Sequence, residues 1–150
     1  MKRNEHIVPL SRDHHFGLLC GWKITEGLKR KVPYGRIKNY IQFFWQHHLK
    51  EHFEQEEAIL FPGGTDELVQ KALKEHEAIR QLTDKIGHSD DVTLLAEYAE
   101  LLKDHIRYEE RVLFPYLEEH LSQEELLQIG KRLDEVHQHS EDNYEDEFWT

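Results

Sequence analysis

The sequence predicts an all-α protein: an up-down-up-down antiparallel four-helix bundle with a short fifth helix at its C-terminal end. Three observations predict it. Apolar residues recur at spacings of three and four among strong helix formers, and strand-like alternation is nearly absent. Turn residues cluster only at 32–35, 62–66 and 87–91, which divides the chain into four long segments. Links this short favour antiparallel neighbours. At 150 residues the chain is one domain by size. The bundle is expected over about residues 10–120, and the fifth helix with an acidic tail over about 121–150.

The first helix is expected from about Ser11, a candidate N-cap, to Lys31. The second runs from about Gly35 to Phe61 and the third from about Thr65 to Ile86. The fourth runs from about Asp91 to His120, with Pro115 inside it, where the ring should kink or end the helix. Ser122 with Glu125 is a capping box that opens the fifth. Trp22, Tyr40, Phe43, Phe44, Trp45, Phe53, Phe61 and Phe114 are expected to fill the core.

Composition narrows the function. A net charge of −11 argues against a nucleic-acid partner, because phosphate binding needs a basic surface. No apolar run approaches the roughly 20 residues of a membrane span, and the first residues lack the apolar stretch of a secretory signal. The single cysteine, Cys20, excludes an internal disulfide and a multi-cysteine zinc site. These features predict a cytoplasmic, soluble protein. Its 12 histidines require an explanation.

An internal repeat supplies one. Aligning His52 with His105 superposes "LKEHFEQEEAILFP" on "LKDHIRYEERVLFP", a shared L-K-[ED]-H-x3-E-E-x2-L-F-P. Residues four apart share a helical face, so His52 with Glu56, and His105 with Glu109, can grip one cation. The helix before each pair adds a lone histidine: His14 or His15 in the first half and His76 in the second. Between the first two, His15 is favoured, because Leu18, Leu19 and Trp22 continue its face. His14, the alternative, follows an acid as His76 does. Four histidines and two glutamates then converge from four helices. This donor set suits iron, manganese or zinc, and two carboxylates related by a repeat suit a pair of ions. His48 shares the face of His52, but its repeat partner is Leu101, so it reads as core or as a group beside the ligands. His6, His88, His120, His137 and His139 read as solvated. The Glu-x-x-His of ferritin-like bundles is absent, and "HEAIR" (76–80) misses the H-E-x-x-H of zinc peptidases, with Arg80 at the second histidine.

Asp13-His14-His15, "HFEQEEAILFP", "KEHEAI" and "HIRYEERVLFP" resemble the hemerythrin-like family, whose His–His–Glu cation-binding motif occurs in duplicate. The similarity covers about residues 10–118. It implies a four-helix bundle with a non-haem di-iron centre, bridging carboxylates and an oxygen-derived bridge. The implied ligands are His15, His52, Glu56, His76, His105 and Glu109. The chain departs from the oxygen carriers of that family. Arg80 stands where they have a second histidine four after His76, and His-x3-Glu replaces their final His-x4-Asp. One iron is thus expected to have an open position, or to be completed by a residue such as His48. The expected function is binding of a small diatomic ligand, oxygen or nitric oxide, in a sensor or stress-response role. The alternatives are an enzyme acting on peroxide or oxygen, an iron-delivery or repair protein, and a metal-free helical adaptor.

Overall fold

The computed structural model describes residues 3–61, 66–137 and 143–150. All regular structure among them is helical. The first rod is α1 (Val8–Lys29). The second is α2 (Tyr34–Phe44), a π turn (Trp45–Leu49), α3 (Lys50–Gln55) and a π turn (Glu56–Leu60). The third is α4 (Glu67–Gly87). The fourth is α5 (Val92–Tyr108), a π turn (Glu109–Leu113) and α6 (Phe114–His120). The fifth is α7 (Gln123–Val136). Each of the first four rods packs on the next, and α5 returns to pack on α1, closing the helical bundle.

Helix ends follow local chemistry. Asp66 and Asp91 cap α4 and α5 by accepting from the N–H two residues on, and Ser122 and Glu125 form the expected capping box on α7. Thr65, expected to head the third helix, lies outside the described residues. The first helix begins earlier than expected, at Val8, because Pro9 suits the first turn. Ser11 is not its cap; its Oγ donates to the carboxylate of Glu110.

Pro115 neither ends the fourth rod nor interrupts its helical path. A proline in the α register would collide with the carbonyl four residues back and leave it without a donor. The wider turn ahead of it absorbs this: the N–H of Phe114 reaches back five residues to the carbonyl of Glu109. The repeat does the same in the second rod, where Phe61 N–H donates to Glu56 O at 2.8 Å. Both π turns start on the glutamates that the repeat aligns, the kind of position where π bulges gather.

Two apolar clusters flank the histidine layer. One joins Tyr40, Phe44, Phe53, Ile79, Leu95 and Tyr98; the other joins Leu10, Leu60, Phe61, Leu113, Phe114 and Leu133. Phe43 and Trp45 are only partly buried. Trp22, expected in the core, is 52% exposed. The inward stripe of α1 is Leu10, His14, Gly17, Cys20, Ile24 and Gly27. Its small residues let α1 approach α5 closely; a Cβ on Gly17 would stand 2.5 Å from Ile106 Cδ1. Leu18 and Trp22 face out instead. The tail contributes to the core as well: Phe148 is buried against Gly27 and Tyr40, and Asp146 accepts from Arg36.

Candidate metal centre

Four imidazoles and two carboxylates meet in the middle of the bundle. His14 comes from α1, His52 from α3, His76 from α4 and His105 from α5, with Glu56 and Glu109 at the starts of the two π turns. All six are buried, the glutamates completely. His14, His52, Glu56 and Glu109 offer ligand atoms that lie within 4.8 Å of one another, and so do Glu56, His76, His105 and Glu109. The two glutamates belong to both groups. Glu109 shows how: Oε1 lies 2.8 Å from His14 Nε2, while Oε2 lies 3.4 Å from His76 Nε2 and 3.2 Å from His105 Nε2.

The choice of His15 is corrected. His15 is exposed, on the outer face that also carries Leu18 and Trp22, and His14 takes the inward place. The apolar residues that favoured His15 are on the outside because α1 uses glycine and cysteine where it touches its neighbours. The acid before each lone histidine was the better signal.

The outer nitrogen of every imidazole is held by a carboxylate. His52 Nδ1 bonds Asp13 at 2.9 Å and His105 Nδ1 bonds Glu75 at 2.7 Å. His14 Nδ1 bonds Glu110 at 2.6 Å and His76 Nδ1 bonds Glu57 at 2.7 Å. The acid preceding each lone histidine thus orients the other histidine of its own half. The second glutamate of each Glu-Glu pair orients the lone histidine of the opposite half. Sequence reasoning assigned these four acids no role, although Glu57 and Glu110 align in the repeat. Since a carboxylate only accepts, Nδ1 carries the proton of each neutral ring, and the Nε2 lone pair points inward.

The residues present fit a cation. His52 Nε2, His105 Nε2 and Glu56 Oε2 are buried and make no hydrogen bond, while Glu56 Oε1 lies 3.0 Å from His76 Nε2. Buried polar atoms are normally partnered, so three together mark a place where something else binds. The field is strongly negative. Burial opposes charging the rings, yet the carboxylates of Glu109, Glu56 and Glu57 around it push His76 up to about 10. His105 is pushed up to about 9 by the charge of Glu109, again against burial. Against burial, which would raise them, the surrounding imidazoles hold Glu109 well below the usual carboxylate range, and His137 and His52 bring Asp13 down to about 2.

No fifth imidazole enters either donor group among the described residues. Arg80 Nη2 donates to Glu57 Oε2 at 2.8 Å, so it braces the acid behind His76. His48 is outside both groups. It stacks near Phe16 and Phe44 on the wall of a cavity of about 20 Å³ that borders the site. The expected shortfall of one ligand on one ion becomes an even distribution: two histidines for each half and two shared glutamates. His88 and His120 are exposed, and His6 is half-buried. His137 is a correction: it is half-buried, and its Nε2 donates to Asp13 Oδ2 at 2.9 Å. His139 lies outside the described residues.

Fold and donor set together define a helical-bundle protein with buried His/Glu groups able to hold metal. The comparisons with known proteins agree. The chain belongs to the hemerythrin family: the model of the hemerythrin HHE cation-binding domain matches residues 18–117. An uncharacterized hemerythrin-like protein of Schizosaccharomyces pombe is 32% identical over 101 residues, 59% of this chain and 49% of that protein. The chain therefore spans about half the length of that relative. No solved structure matches. Among the described residues no helix is long and apolar enough to cross a membrane.

Proposed function

We propose that this chain is a non-haem di-iron protein that takes up oxygen or nitric oxide and serves as a sensor or stress-response protein. The observation that carries this reading is the sharing of Glu56 and Glu109 between two histidine pairs beside an apolar cavity. A reduced iron pair held by His14, His52, His76, His105, Glu56 and Glu109 would supply electrons to a diatomic ligand. The protein's own groups do the rest. Glu56 and Glu109 place negative charge between the two halves. Asp13, Glu57, Glu75 and Glu110 fix the ring tautomers. Phe16, Phe44, Phe53, Leu102 and Ile106 keep the cavity apolar, and its size admits one water-sized guest. Zinc or manganese suits the same donors, so metal identity is the first measurement.

Iron analysis of the purified protein should give close to two per chain. A near-ultraviolet to visible charge-transfer band should disappear on reduction and change with oxygen or nitric oxide. A colourless protein that binds no iron would end this reading. A metal-free adaptor is the poorer account, because it leaves Glu56 Oε2 buried without a hydrogen bond.

The enzymatic reading has one specific observation behind it: His48, on the cavity wall, is a group able to pass a proton to a bound ligand. Steady peroxide turnover, lost in Glu56→Ala and slowed in His48→Leu, would favour an enzyme. Stoichiometric uptake without turnover favours the binding protein.

A further inference from the structure

The two halves match closely out to the carboxylates behind the imidazoles and differ one step further. Glu75, behind His105, uses its second oxygen to accept from Lys71, one turn earlier on the same helix. Asp13, behind His52, instead shares Oδ2 between His52 Nδ1 at 2.9 Å and His137 Nε2 at 2.9 Å. His137 lies outside the repeat, at the end of α7, in the stripe Leu126, Ile129, Leu133 by which that helix enters the second apolar cluster. Gln55 Nε2, donating to Val136 O at 3.5 Å, ties this end of α7 to the helix that carries His52.

We infer that His137 is a positioning residue for one half of the centre, holding Asp13 where it fixes His52 and so tying metal retention in the His14/His52 half to the seating of the fifth helix. This rests on the reading that the two donor groups hold metal. The physical basis is that a ring ligand keeps its orientation and basicity only while its outer N–H has a fixed acceptor. Asp13 is partly exposed, with a side chain 14% accessible, so without His137 water competes for its oxygen. Lys71 performs that task for Glu75 from within its own helix, so the orientation of His105 is held without His137.

The test is anaerobic titration of the chelator-stripped full chain with iron(II) against a competing chelator. Two ions bound by the unaltered chain establish the parent reading; none bound would overturn that reading and this inference with it. His137→Ala should weaken one of the two ions by about tenfold and leave the other unchanged. His137→Gln, which keeps an N–H donor, should recover most of the loss. In an Asp13→Asn background His137→Ala should add nothing, whereas in Glu75→Gln its full effect should remain. Equal weakening of both ions, or an unchanged effect in Asp13→Asn, would overturn the inference. Lys71→Ala gives the mirrored result, weakening the ion that His137→Ala spares.

Discussion

Metal uptake should be a proton exchange, and its stoichiometry can be worked from the site. Four imidazoles are enclosed by six carboxylates, namely Asp13, Glu56, Glu57, Glu75, Glu109 and Glu110. In protein stripped by a chelator, burial disfavours the charged rings, but the acids outweigh it: His76 rises to about 10 and His105 to about 9. His14 and His52 move the same way, against burial, through Glu109 and Glu110 for the first and Glu56 and Asp13 for the second. At pH 7 His76 and His105 therefore carry a second proton, and the inward Nε2 must lose it to bind metal. Uptake at pH 7 should release at least about two protons per two ions, those of His76 and His105, and the upward shifts of His14 and His52 add to that number. The affinity of the His76/His105 half should climb roughly a hundredfold per pH unit from 7 toward 9 and level off above 10. Calorimetry in two buffers of different ionisation enthalpy counts the protons directly. Release of less than about one proton per ion, or an affinity indifferent to pH, would refute the assignment of these rings. The same shifts govern stability. The folded-state values lie above the ordinary 6.5, so their contribution is full below pH 6.5 and is lost as pH rises through 9 to 10. The melting temperature of the stripped protein should fall across that window, and that of the metal-loaded protein should not follow it.

Other outcomes follow from single side chains. Glu56→Ala and Glu109→Ala should each abolish binding of both ions, since each carboxylate serves both groups; metal analysis that finds one ion retained would contradict the sharing. Phe148→Ala removes a ring buried between Gly27 and Tyr40 and should cost about 3 kcal/mol, read as a drop of ~6–12 °C in melting temperature, which tests whether the tail belongs to the core. Ser122→Ala deletes the capping box of α7 and should cost about 1 kcal/mol in denaturant unfolding. Trp22→Ala, by contrast, should stay within about 0.5 kcal/mol, because the indole is largely in solvent.

Much of the centre was legible because it is written twice. His52 with Glu56 and His105 with Glu109 follow from helical spacing alone, and the repeat removes the ambiguity that a lone histidine carries. The capping box of the fifth helix and the start of the fourth near Asp91 follow equally from local chemistry. The errors over His15 and Trp22 share a cause. Large apolar residues usually mark the buried face, but α1 packs by close approach through Gly17, Cys20 and Gly27, so Leu18 and Trp22 lie outside and His14 displaces His15. His137 was unreadable for a different reason: its partner, Asp13, is 124 residues away.

The sequence alone thus determined the helices, the capping box of the fifth, the doubled His/Glu unit and the acidic character of the chain, all of which depend on composition or on contacts within a few residues. Tertiary structure decided which face of α1 looks inward, which carboxylate stands behind each imidazole, and how the fifth helix and tail join the bundle. Those depend on how closely two helices approach and on which distant groups then fall within hydrogen-bond reach, and no local periodicity encodes either distance.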